Sequence, residues 1–178
     1  MVHQQDGAQP LPLPRFEAPP RILLVAAPFY RAIADQLIAG ARAVLDGFGA
    51  PHALIEVPGA LEIAPAIRLA ERRFDGFVAL GCVLRGETSH YDTVCAESAR
   101  GLTLLGVERG LCIGNGVLTC DTRAQAEARA DPGGMDKGGA AAAAALHLVA
   151  LARRFAEPAP MGFAEPTTRM AGEPPRRA

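Results

Sequence analysis

Residues 21–49 read RILLVAAPFYRAIADQLIAGARAVLDGFG, and the order of residue types in that stretch decides the fold. Its first seven residues form a short apolar run with no polar face, as a strand covered on both sides requires. Residues 31–46 then set Ile33, Leu37, Ile38, Ala41, Val44 and Leu45 on one face at helical spacing. Gly47 and Gly49 stop that helix. A buried strand followed at once by an amphipathic helix is one βα unit, the building block of a parallel sheet.

The unit recurs along the chain. Residues 52–57 predict a second strand, cut by Pro58 and Gly59, and residues 61–74 a second helix that tolerates Pro65 only in its first turn. Residues 76–84 (GFVALGCVL) predict a third strand and residues 90–105 a third helix. A fourth strand over 111–118, a short helix over 123–130 and a long final helix over 138–155 complete the set. The expected architecture is a three-layer α/β/α sandwich around a flavodoxin-like, four-stranded parallel sheet of order 2-1-3-4.

Working outward, the flanks differ in composition from this core. Of the 15 prolines, ten fall in residues 1–20 or 157–178. Such flanks bury too little apolar area to offset their ordering entropy, so a flexible arm over 1–20, a folded domain over 21–156 and a disordered tail over 157–178 are expected. The chain has 178 residues with 18 basic and 19 acidic side chains, net charge −1, which argues against a nucleic-acid partner. No apolar run approaches the roughly 20 residues of a membrane span, and the start lacks a basic segment leading into an apolar one, so a cytoplasmic protein without membrane contact is expected. The four cysteines, Cys82, Cys95, Cys112 and Cys120, have no metal-ligand spacing, and reduced thiols without a metal are the expectation.

In a sheet of this order, ligands sit beyond the carboxyl ends of the first and third strands. The loops there carry Phe29 and Tyr30 on one side and residues 85–92 (RGETSHYD) on the other. Ser89 and Asp92 have capping-box spacing, and the free N–H groups of residues 86–88 with the Thr88 hydroxyl form either an anion cradle or a plain helix cap. His90 is either an acid–base group beside that cradle or a surface histidine. Arg129 and Lys137 bracket a glycine-rich turn and either grip a phosphate or are solvated. Phe29 either stacks on a flat heterocycle or anchors its loop. There is no Walker loop, and no G-x-G-x-x-G follows the first strand.

Residues 57–63 (VPGALEI), 81–90 (GCVLRGETSH), 115–119 (NGVLT), 125–130 (QAEARA) and 136–138 (DKG) occur in that order, and together the chain resembles the 6,7-dimethyl-8-ribityllumazine synthase family of riboflavin biosynthesis. The resemblance covers residues 21–156. It implies a transferase that condenses 5-amino-6-(D-ribitylamino)uracil with 3,4-dihydroxy-2-butanone 4-phosphate, releasing phosphate and water, with no cofactor. By that resemblance His90 transfers protons and Phe29 stacks on the pyrimidine. Ala60, Leu61 and Glu62 bind the ribityl side, and Cys82, Val83 and Leu84 line the uracil edge. Glu87 and Thr88 hold the phosphate through their loop backbone, Arg129 reaches it from a neighbouring subunit, and Lys137 lies near it.

Asn115 takes the position of an aromatic that often covers the pyrimidine from the adjacent subunit, Pro28 that of a common arginine, and Asp136 that of a common asparagine. The family forms homopentamers, some packed into sixty-subunit shells. Pro19 and Pro20 cannot donate to a shell-forming strand pair, so a homopentamer is the expected partner state. The competing expectation is a non-catalytic flavin- or lumazine-binding or shell-forming member of the same fold.

Overall fold

The computed structural model describes residues 11–156. Four strands, β1 (Ile22–Ala27), β2 (His52–Glu56), β3 (Gly76–Leu84) and β4 (Ile113–Cys120), form one parallel sheet of order β2-β1-β3-β4, as expected. Both central strands are apolar on both faces, and every residue of β1 is buried. Ile22, Leu24, Ala26, Val78 and Leu80 meet helices α1 (Arg31–Phe48) and α5 (Lys137–Ala156) on one face. Leu23, Val25, Phe77 and Ala79 meet α2 (Ile63–Ala70) and α3 (His90–Arg109) on the other. The short α4 (Arg123–Ala130) adds Ala126 and Ala130 to the first face. Burying a run such as ILLVAA on both sides contributes about 1.5–3 kcal/mol for each large side chain, which makes this strand the centre of the fold.

Several boundaries differ from the sequence expectation, each for a local reason. Gly47 stays helical, and α1 ends at Gly49, whose φ of 74° turns the following N–H, that of Ala50, back onto Leu45 O at 2.9 Å. The second helix is shorter than residues 61–74: Ala60–Glu62 form a 3₁₀ turn, α2 starts at Ile63, and Pro65 falls in its first turn. Past Ala70 the chain tightens, with the Arg73 N–H bonding Ala70 O at 2.9 Å. The third helix runs on from 105 to Arg109, where Gly110 (φ 66°) caps it. That cap takes the Leu111 N–H, which bonds Leu105 O at 3.3 Å, so β4 begins at Ile113 rather than at 111.

Helix α5 also corrects the expectation about apolar runs. Its 20 residues are long and apolar enough to cross a membrane by length and composition. Here it lies on the sheet instead, with Ala141, Ala142, Ala145, Leu146 and Val149 buried. Its first turn is held by Asp136, which takes a positive φ of 40° and accepts the Gly139 N–H at Oδ1 (2.9 Å) and the Ala140 N–H at its carbonyl (2.9 Å). The expected arms at residues 1–10 and 157–178 lie outside the described residues. Within the described part of the N-terminal arm, Phe16 packs edge-on against Phe48 at 5.5 Å, Arg153 donates to Ala18 O at 2.6 Å, and Pro20 is buried.

Candidate active site

Because β1 and β3 are parallel neighbours in register, with Ala27 beside Gly81, their following loops leave the sheet side by side. The loop after β2 joins them, since β1 also pairs β2 through Ala26 and Glu56. The three loops enclose a crevice of about 440 Å³, within the range typical of small-molecule sites. Cys82, Val83 and Leu84 at the end of β3 line its base. Phe29 and Tyr30 form one wall, Pro58 to Glu62 a second, and Gly86, Thr88, His90, Tyr91 and Val94 a third.

Phe29 and Tyr30 divide the two roles that sequence left open for one ring. Their centroids are 5.0 Å apart at 75°, and Tyr30 is the one that packs against the core. Phe29 keeps 74% of its surface exposed, so it does not anchor the loop and offers a free aromatic face at the crevice. Behind this wall Arg31 grips Glu56 with two hydrogen bonds, Nη1 to Oε1 at 2.7 Å and Nη2 to Oε2 at 3.0 Å. That fork ties the start of α1 to the end of β2 and holds the Glu56 carboxyl below the usual carboxylate range.

His90 is exposed and opens α3 at the crevice wall. The expected capping box at Ser89 and Asp92 is absent: Ser89 has helical angles (φ −65°, ψ −5°) and caps nothing with its side chain. Asp92 turns instead to Arg85, Oδ1 to Nη1 at 3.3 Å. Thr88 Oγ1 accepts the His90 N–H at 3.4 Å, and among the described residues the N–H groups of Gly86, Glu87 and Thr88 have no protein acceptor. Free donors at the start of a 20-residue helix favour an anion there. Burial pushes the Cys82 thiol up to about 12, so it is a neutral wall group and not a nucleophile. Among the described residues no three His, Cys, Asp or Glu side chains converge to hold a metal ion.

Of the residues singled out in the sequence, Phe29, Ala60, Leu61, Glu62, Cys82, Val83, Leu84, Thr88 and His90 meet at this crevice. Glu87 is in the same loop, but its side chain does not line the wall. Asn115, Arg129 and Lys137 lie elsewhere. Asn115 is exposed on edge strand β4, its Oδ1 accepting the Val117 N–H at 2.9 Å. Arg129 is half-buried on α4 and donates to Gln125 O at 3.2 Å, while Lys137 is half-buried at the start of α5.

Sequence reading missed Tyr91 and Arg85, although signals were present. Tyr91 directly follows His90. Arg85 and Asp121 each follow the end of adjacent parallel strands whose last residues, Leu84 and Cys120, are paired. The capping box also went unread: it sits at Thr122 and Gln125 and starts α4.

The sequence model of the family described as 6,7-dimethyl-8-ribityllumazine synthase matches residues 19–153. A 6,7-dimethyl-8-ribityllumazine synthase of Jannaschia sp. (strain CCS1) is 54% identical over 150 residues, covering 83% of this chain and 84% of that protein. One from Methylobacterium radiotolerans is 50% identical over 155 residues, covering 86% and 94%. One from Methylocella silvestris is 54% identical over 139 residues, covering 74% and 85%.

Proposed function

This chain belongs to the 6,7-dimethyl-8-ribityllumazine synthase family, and on that premise we propose that the crevice between Phe29 and His90 is its active site. The enzyme condenses 5-amino-6-(D-ribitylamino)uracil with 3,4-dihydroxy-2-butanone 4-phosphate to give the lumazine, phosphate and water. The pyrimidine stacks on the free face of Phe29, with its uracil edge along Cys82, Val83 and Leu84 and its ribityl chain along Ala60, Leu61 and Glu62. The phosphate lies at the start of α3, against the unpaired N–H groups of residues 86–88, including those of Glu87 and Thr88.

The chemistry follows from these positions. The substrate amine attacks the ketone, the carbinolamine loses water to an imine, phosphate leaves by elimination, and a second amine closes the ring with loss of another water. Each step moves a proton, so one imidazole at the crevice wall, His90, serves repeatedly as acid and base, typically for ~10²–10⁴-fold. The leaving phosphate needs its charge held, by the start of α3 and by a guanidinium. Within one chain Arg129 and Lys137 stand away from the crevice, and Asn115 stands on an open sheet edge. In our reading these three complete the crevice of an adjoining protomer, in a homopentamer that acts in the cytoplasm.

Exposed apolar surface supports that assembly. Only Ser98 and Leu102 of α3 are buried, Val107 is 81% exposed, and α5 turns Leu148, Leu151 and Phe155 outward. Residues 21–156 form the catalytic domain, flanked by the two arms.

The observation that carries the reading is the convergence of an unburied aromatic ring, an imidazole and unpaired N–H donors on one crevice. It is tested by mixing the protein with both substrates and following lumazine absorbance against the spontaneous reaction. Turnover above background is expected, with His90→Ala about 10²-fold slower but still active. No excess over background would overturn the reading.

A further inference from the structure

Arg85 stands one residue beyond β3 and does not line the crevice. Its guanidinium nevertheless reaches both segments next to it. Nε donates to Asp121 Oδ1 at 2.7 Å, Nη1 donates to Asp92 Oδ1 at 3.3 Å, and Cζ lies 4.1 Å from the centre of the Tyr91 ring. Its backbone N–H extends the β3–β4 ladder by bonding Cys120 O at 3.0 Å. Tyr91 and Asp92 belong to the first turn of α3, which His90 opens. Asp121 immediately precedes Thr122, whose capping box with Gln125 starts α4, the helix that carries Arg129.

Arg85 and its two carboxylate partners are solvent-facing, and exposed ion pairs contribute little to stability. A planar fork with donors in fixed directions does constrain orientation, and it is the property that a lysine lacks. We infer that Arg85 is a positioning residue: it fixes the first turn of α3, and with it the His90 ring and the N–H groups of residues 86–88, relative to the start of α4. The inference rests on the reading of the crevice as the active site. It predicts that the wall carrying His90 depends on Arg85, while the opposite wall of Phe29 and residues 60–62 does not.

The test is steady-state kinetics and thermal unfolding of the full chain carrying Arg85→Gln, Arg85→Lys, Asp121→Asn, or Arg85→Gln with Asp121→Asn. Arg85→Gln should lower kcat about tenfold while leaving KM for the ribitylaminouracil unchanged to within about twofold, because only one wall is displaced. Arg85→Lys should recover part of the loss, since it keeps the charge but not the fork. The double variant should be no slower than Arg85→Gln alone, as for two partners in one contact. An unchanged kcat per folded subunit with a lowered Tm would overturn the inference in favour of a merely structural contact, and so would additive losses in the double variant. If Arg85→Gln does not fold, Asp121→Asn, which leaves Arg85 bound to Asp92, decides by its own kcat, and an unchanged value overturns the inference. His90→Ala run in parallel separates the two levels. If it turns over like the parent protein, the active-site reading fails; if it is slow while Arg85→Gln and Asp121→Asn are not, only the role of Arg85 fails.

Discussion

Gly138→Ala is expected to destabilise the fold through the crossing of α5 over α1. A Cβ at position 138 would stand 2.0 Å from Leu37 O, 2.8 Å from Leu37 C and 2.9 Å from Leu37 Cα. All three are backbone atoms of α1, so no side chain can swing aside, and the helices must part by roughly 1 Å to restore a carbon–oxygen contact of about 3.3 Å. Forced overpacking costs about 1–3 kcal/mol, and a backbone obstruction belongs at the upper end. Alanine's helix propensity returns at most about 1 kcal/mol, less here because Gly138 is the second residue of α5. The net loss is about 2 kcal/mol, or about 4–8 °C in Tm for a chain of this size. The control is Gly47→Ala, also near a helix end but with nothing within 4 Å of its Cβ, which should be neutral or gain at most about 0.5 kcal/mol. Calorimetry must use one protein concentration throughout, because the proposed assembly would make Tm concentration-dependent. An unchanged Tm for Gly138→Ala, or an equal fall for Gly47→Ala, would refute the close helix approach as the constraint.

Further outcomes follow from the site. Phe29→Ala should raise KM for the pyrimidine substrate about tenfold, the stacking of one ring on a base being worth about 1–3 kcal/mol; an unchanged KM would remove Phe29 from the site. Arg129→Ala should raise KM for the phosphorylated ketone more than that for the pyrimidine, and equal effects on both would contradict its phosphate role. Burial raises the Cys82 thiol from 9.0 to about 12, so above pH 9 the unfolded chain gives up that proton first. The unfolded state then binds fewer protons than the folded one, so this contribution to stability is full below pH 9 and is lost as pH rises toward 12. Urea midpoints at pH 8 and pH 10 should therefore fall more in the parent protein than in Cys82→Ala, and parallel falls would refute the burial of the thiol.

The strands were legible because their patterning is unambiguous: RILLVAA and GFVALGCVL have no polar face and can only be central. Parallel pairing of such strands then brings Phe29 and His90, 61 positions apart, to one crevice without any long-range signal in the sequence. Boundaries were less legible because they depend on which backbone groups caps consume. Leu111 is apolar and reads as strand, yet its N–H closes the end of α3. Ser89 and Asp92 have capping-box spacing, yet Arg85 competes successfully for the Asp92 carboxylate. Asn115, Arg129 and Lys137 carry no pattern that says where they act, and if they complete an adjoining protomer's crevice, as proposed, such a division leaves no trace in the linear order of one chain.

The division of the site between protomers is tested most directly by subunit mixing. His90→Ala and Arg129→Ala chains, each slow alone when the phosphorylated ketone is kept below its KM, are unfolded, combined in equal amounts and reassembled, and lumazine formation is followed at that ketone concentration. If each crevice takes His90 from one chain and Arg129 from the next around a cyclic assembly, about a quarter of the interfaces regain both groups, and activity should recover to about a quarter of the parent value. A mixture no faster than the average of the two variants would contradict a shared site.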